Sequence, residues 1–308
     1  MSAEGGKKAI IAAFLANLGI AVAKFVGFLI TGASSMLSEA IHSVADTGNQ
    51  ALLLLGRARA DKDADDRHPF GYGRERFFWA FVVSVVLFTL GAVFAIYEGI
   101  HKIEHPEELR SPGVAITILG IAALLEGFSF RTAVHESVGL KGRATWWGFI
   151  RGSRVPELPV VLLEDLGALV GLLVALVAII LTLVTKNGVY DGIGSVVIGS
   201  ILGVIAVVLC VEMKSLLIGE GASEGDLDQI LAAVNAAPDV VRLIHQRTEH
   251  IGPDEILLAA KVAFDPVLTS AELAQAIDRV EADVRAAVPS VRLIYIEPDL
   301  DRDSSTTA

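Results

Sequence analysis

The sequence has one cysteine, Cys210, set in an apolar run. A lone thiol excludes an internal disulfide framework and a thiolate metal cluster, and leaves Cys210 as a small apolar residue of a core or a lipid-facing surface. Charge is scarce as well. Asp, Glu, Lys and Arg supply 20% of the residues, hydrophobic types supply 53%, and the mean hydropathy is +0.59. That is too apolar for a soluble chain of 308 residues, so a membrane class follows. There is no Ser/His/Asp constellation and no His-Glu-x-x-His motif, which argues against an enzyme. No internal repeat stands out. Basic residues thin out toward the C-terminus: from Gly219 onward 17 acidic residues face 7 basic ones, so that segment carries −10 of the net charge of −11. An acidic tail argues against nucleic acid as a partner.

Long apolar runs are what the sequence has in abundance. A spanning helix takes about 20 mostly apolar residues. Six stretches fit, at residues 9–30, 35–56, 77–100, 112–132, 158–184 and 193–217. Lys7 and Lys8 precede the first run, which continues to about Thr31 without an A-x-A-like cleavage site, so it reads as an uncleaved helix. One set of connecting loops holds Lys7, Lys8, Arg57, Arg59, Lys62, Arg67, Arg74, Arg76, Lys141, Arg143, Arg151, Arg154 and Lys214. The opposite set holds Lys102, Arg110 and Lys186. The positive-inside rule then puts both termini in the cytoplasm, and a cell (inner) membrane is the expected location. Trp146 and Trp147 read as an interfacial belt.

Residues 219–300 read as a small cytoplasmic α+β domain of α-β-β-α-β order, ferredoxin-like in outline. A helix is expected over 227–236, strands over 240–249 and 255–264, a helix over 269–287 with Thr269 or Ser270 as N-cap and Glu272 in the first turn, and a strand over 291–296 ending at Pro298. Residues 301–308 read as a disordered tail. The predicted architecture is thus a six-helix transmembrane domain, residues 1–218, followed by this domain.

Ionisable residues inside a bilayer are costly and mark a pathway. His42 and Asp46 lie four apart on the second span, which puts both on one helix face. An imidazole with a carboxylate suits zinc or a similar divalent ion. Glu164 and Asp165 lie within the fifth span, and two helices offering such groups can complete a site at the bilayer midplane. Glu39, Asn49 and Glu126 are expected along the path or as proton relays.

The segment Ser38-Glu39-Ala40-Ile41-His42-Ser43-Val44-Ala45-Asp46 resembles the second-helix motif of the cation diffusion facilitator family. So does His68-Pro69-Phe70-Gly71-Tyr72-Gly73-Arg74-Glu75-Arg76 before the third span. The resemblance implies export of Zn2+ or a related divalent ion (Mn2+, Co2+, Cd2+ or Fe2+) in exchange for protons, by alternating access in a homodimer embedded in the lipid bilayer. It implies no cofactor beyond the transported cation. It makes His42, Asp46 and Asp165 metal ligands. The family's usual fourth ligand, four residues before Asp165, is here Val161, and Glu164 is expected in its stead. The run Val161-Leu162-Leu163-Glu164-Asp165-Leu166-Gly167 resembles a divergent branch of the family with Glu-Asp at this point. The alternative reading is a metal-sensing membrane subunit that binds the ion without carrying it.

The loop Asp61, Asp63, Asp65, Asp66, His68 has oxygen and imidazole donors for a regulatory metal, with Asp66 and His68 its candidates. His245, His250, Glu297 and Asp299 are candidates of the same kind in the tail. Gly91, Gly120, Gly192, Gly194, Gly199 and Gly203 are expected where helices pack closely.

Overall fold

A computed structural model describes residues 3–106 and 111–300. The expected tail at 301–308 and the loop residue Arg110 lie outside the described residues, as do the side chains of Lys7 and Lys8. Contacts divide the chain into two compact units, one of residues 1–59 and 76–214, the other of residues 60–75 and 215–308. The loop at 60–75 thus belongs with the tail, although it was expected to be part of the helical domain.

The helical unit holds α1 (Ala3–Thr31), α2 (Ser34–Ala60), α3 (Glu75–Val82), α4 (Thr89–Glu104), α5 (Pro112–Lys141), a short α6 (Trp146–Gly152), α7 (Glu157–Thr185) and α8 (Val189–Ile218). A π-helical turn, Val83–Phe88, joins α3 to α4 into one rod, where a single unbroken helix was expected. Within that turn the Ser84 hydroxyl donates back to the Ala80 carbonyl at 2.8 Å. The expected fourth span continues as helix to Lys141. Four stretches, Glu75–Glu104, Pro112–Gly139, Glu157–Thr185 and Val189–Ile218, are long and apolar enough to cross a bilayer on composition alone. With α1 and α2 they make the six long rods of an integral membrane protein.

Close packing falls at some of the expected glycines. A Cβ on Gly199 would lie 2.7 Å from the Ala92 carbonyl, and one on Gly192 would lie 2.7 Å from the Gly99 carbonyl, so α8 and α4 approach backbone to backbone. Gly194 makes room for the Ala178 methyl group of α7, 2.5 Å from where its own Cβ would lie. Gly91 and Gly120 do not fit that expectation: nothing lies within 4 Å of a Cβ at either. Gly91 is nonetheless buried and Gly120 half-buried, so neither is placed by a close backbone approach. A half-buried Arg76 closes the α3 end onto α7, its Nε and Nη2 donating to Glu157 Oε1 and Oε2 at 2.6 and 2.9 Å. Trp146 and Trp147 open α6 with both rings exposed, and Thr145 Oγ1 caps that helix by accepting from Gly148 N at 3.0 Å.

The tail unit follows the expected order: α9 (Glu224–Ala236), β1 (Val240–Gly252), β2 (Glu255–Phe264), α10 (Ser270–Ala287) and β3 (Val291–Asp299). The sheet order is β1-β2-β3, with β1 antiparallel and β3 parallel to the central β2. Ile256, Leu258 and Val262 of β2 are buried with Ile230 and Val234 of α9 and with Ala276, Val280 and Val284 of α10. This places the helices on one sheet face, as alternation in β2 and 3.6-residue spacing in α10 require. Thr269 is the N-cap of α10 and forms a capping box with Glu272. Thr269's hydroxyl and N–H hold the Glu272 carboxyl below its ordinary pKa. Strand β3 does not stop before Pro298. It runs on to Asp299 in register with Val262 and Ala263, because an edge strand tolerates a proline that cannot donate.

Candidate metal centre

Helix α2 carries its polar residues inward. Ser38, Glu39, His42, Ser43, Asp46, Thr47 and Asn49 are buried, whereas Val44, Leu54 and Leu55 are exposed. Water would disfavour such a helix. Lipid favours it, because hydrocarbon solvates the apolar face and only the bundle interior can satisfy carboxyl, amide and imidazole groups. The i,i+4 spacing does what the sequence promised: His42 Nδ1 lies 3.3 Å from Asp46 Oδ1.

The adjacent acids of α7 part company. Successive helical residues point about 100° apart. Glu164 turns to α2, where its Oε1 accepts from Asn49 Nδ2 at 3.2 Å and its carboxyl lies within electrostatic range of Asp46. Asp165 turns to α5, where its Oδ2 accepts from Ser129 Oγ at 2.9 Å. So Glu164, expected as the substitute ligand, is the acid on the α2 side, and Asp165 heads a separate contact. Glu126, buried on α5, lies within electrostatic range of Glu39, Asp46, Glu164 and Asp165. Val161 is half-buried and offers no donor. Among the described residues no three His, Cys, Asp or Glu side chains converge at metal-binding distance. The arrangement is a chain of neighbours across α2 and α7, His42 beside Asp46 and Glu164 beside Asn49, with Asp46 and Glu164 within electrostatic range of each other.

Sequence reasoning missed Lys24. This lysine of α1 is fully buried, and its ammonium donates to Glu39 Oε2 at 3.1 Å and to Ser43 Oγ at 2.7 Å. A signal was present. Ala21, Lys24, Gly27 and Thr31 form the small and polar stripe of α1, all buried and three or four apart. Asp191, buried at the start of α8, was missed as well. It accepts from Ser34 N at 2.6 Å, from Ser35 N at 3.3 Å and from the Ser35 hydroxyl, capping α2 from a distance in sequence.

The regulatory candidates are not drawn together. In the loop, His68 pairs with Asp65, Nδ1 to Oδ1 3.4 Å, and Asp66 stands exposed. Asp65 is already engaged, accepting from Tyr72 OH at 2.7 Å and from the Arg67 and His68 N–H groups at 3.0 and 2.7 Å. The Tyr72 hydroxyl first, and the His68 N–H next, hold the Asp65 carboxyl below the usual range. Because its folded pKa is depressed, Asp65 supports the loop above its ordinary pKa of about 3.9 and loses that support as pH falls through the lower folded value. Tyr72→Phe removes the leading donor. The Asp65 titration midpoint, followed by carboxyl-carbon NMR in nanodiscs, is expected to move up toward the ordinary value; an unmoved midpoint would refute the assignment. In the tail His250 is buried and His245 exposed, so they point away from each other. Lys261 Nζ bridges Glu297 Oε1 at 3.0 Å and Asp299 Oδ2 at 3.3 Å, filling with an ammonium the position a bound cation would take.

Known proteins resemble the chain in this same region. The model of the cation efflux transmembrane domain matches residues 10–218. The proton-coupled zinc antiporter SLC30A9, mitochondrial, of Mus musculus is 32% identical over 266 residues, 85% of this chain and 47% of that protein. Metal tolerance protein C4 of Arabidopsis thaliana is 30% identical over 85% of this chain and 58% of its own length. Zinc transporter ZitB of Pectobacterium atrosepticum is 27% identical over 65% of this chain and 57% of its own length. The chain thus spans about half the length of the curated relatives it matches. Among solved structures, a nickel form of the MamM CTD aligns with 26% of the chain at 20% identity and a TM-score of 0.25.

Proposed function

The chain belongs to the cation efflux family, and from that membership we propose that it carries divalent transition-metal cations, zinc foremost, across a bilayer in exchange for protons. The observation that carries this reading is the gathering of ionisable side chains inside the bundle: His42 and Asp46 of α2 lie 3.3 Å apart, and the buried Glu164 of α7 is tied to the same helix through Asn49. Two ionised carboxylates close together and out of water repel each other strongly. They stay together only with a proton shared between them or a cation held between them. A metal ion needs ionised carboxylates and a neutral imidazole, so its arrival expels the proton. Protons reaching the site from the other side then displace the metal. The alternation of occupants at one place makes the coupling an exchange. His42 adds a nitrogen donor, which favours zinc and its neighbours over magnesium or calcium.

Rocking of the helices about α2 and α7 supplies alternating access. The homodimer, the cytoplasmic termini in a cell (inner) membrane and a regulatory or dimerising role for residues 219–300 belong to the same proposal. The basic loops support the sidedness.

Reconstituted protein in liposomes containing a pH dye tests it. Zinc added outside is expected to raise the internal pH as protons leave against entering metal. Zinc binding without any proton movement, in folded protein, would replace this reading with that of a metal-sensing membrane subunit. Val161, apolar where the family usually has a ligand, is the feature that gives that second reading its footing.

A further inference from the structure

Lys24 is among the largest fully buried side chains of the protein. An ammonium inside a helical bundle is retained only against a partner of opposite charge, and here the partner is Glu39, also fully buried. Glu39 lies three residues before His42, so the two side chains share a face of α2 about one turn apart. One oxygen of Glu39 is held by Lys24. The other, Oε1, has no hydrogen-bond partner among the described residues and faces α7 at Gly171, where an added methyl group would overlap it. Glu39 is therefore a carboxylate with one arm tied back and one arm idle, beside the residues expected to hold the ion. The Lys24 charge also reaches His42, Asp46 and Glu126.

We propose that Lys24 is a specificity-determining residue: as a tethered ammonium it occupies Glu39 and keeps a further oxygen donor off the ion held by His42 and Asp46. The inference rests on the cation-binding reading of those two residues. Its chemistry is that of donor sets. Imidazole suits zinc, whereas each added carboxylate oxygen moves a site toward manganese and other oxygen-preferring ions. Lys24 thus holds the site at a low oxygen count without removing the acid. Glu39 and Gly171 fix the geometry: the glycine leaves room for the idle oxygen, and the lysine keeps the carboxylate from swinging to the ion.

The test is metal binding to purified, detergent-solubilised full-length protein, with zinc and manganese each competing against a chromogenic chelator. In Lys24→Met the freed Glu39 is expected to raise manganese affinity relative to zinc about tenfold, the scale on which groups around a metal ligand act. Lys24→Met combined with Glu39→Gln is expected to return the ratio to that of the native protein. An unchanged ratio in Lys24→Met overturns the proposal, and so does a double variant that behaves like the single one. Lys24→Leu likewise removes both the donor and the charge, and carries the same expectation should Lys24→Met fail to elute as a monodisperse species. Absence of zinc binding in the native protein would instead strike the reading of His42 and Asp46, a separate failure.

Discussion

Asp46→Asn is expected to lower zinc uptake into proteoliposomes by more than about 100-fold while leaving the protein at least as heat-stable as the native form. The magnitude follows from the position of Asp46, beside His42 and within electrostatic range of Glu164. Changes to groups that merely orient a metal ligand already cost about 10- to 100-fold, and Asp46 is the group at the centre of the chain of neighbours. The amide keeps the size of the acid and can donate a hydrogen bond, so the packing survives. It cannot offer the charge a cation requires. Stability holds or rises because the repulsion latent in a carboxyl pair is gone. Asp46→Ala and His42→Ala are expected to lose uptake as fully, but with a lower melting temperature, since each leaves a cavity and strands a polar partner. Native uptake by a folded Asp46→Asn protein would remove Asp46 from the metal pathway.

The legibility of this site in the sequence divides along a physical line. Contacts made along one helix were readable. His42 and Asp46 announce themselves by spacing, and the capping box of Thr269 and Glu272 does so too. Contacts made between helices were not. Nothing in the pair Glu164–Asp165 tells which acid faces α2, because a rotation of about 100° decides it and packing sets the rotation. For Lys24 the small and polar stripe of α1 marks a buried face, but its partner Glu39 emerges only once α2 is laid against it. Gly91 and Gly120 have the same composition signal as Gly199, yet only Gly199 meets another backbone. The order of elements in the tail was legible because β2 alternates and α10 is amphipathic. The place of the loop at 60–75 is set by tertiary contacts, which its charges do not reveal because they suit any solvated surface: Gly73 fits against the Ile251 carbonyl, and Arg74 pairs with Glu249.

Those between-helix contacts also hold the helix that presents His42 and Asp46, and Asp191 is the clearest case. Asp191→Ala is expected to destabilise the protein by about 3 kcal/mol. The first backbone N–H groups of α2 have no partner within their own helix. In this protein Asp191 of α8 accepts from two of them, Ser34 N and Ser35 N, and from the Ser35 hydroxyl. Its negative charge at a helix N-terminus is favourable in addition. Alanine would leave these donors buried without water to replace the carboxylate, since Asp191, Ser34 and Ser35 are all inaccessible. Lys102 does not compensate, because its ammonium donates to the Gly32 carbonyl and offers no acceptor. Asp191→Asn keeps one acceptor oxygen and is expected to lose roughly half as much. Chemical or thermal unfolding in a mild detergent measures both. The functional consequence separates capping from general stability. Loosening the start of α2 shifts Glu39, His42 and Asp46 together, so metal affinity of the folded fraction is expected to fall in Asp191→Ala and to recover partly in Asp191→Asn. A variant with lowered stability but native affinity would confine Asp191 to holding the fold.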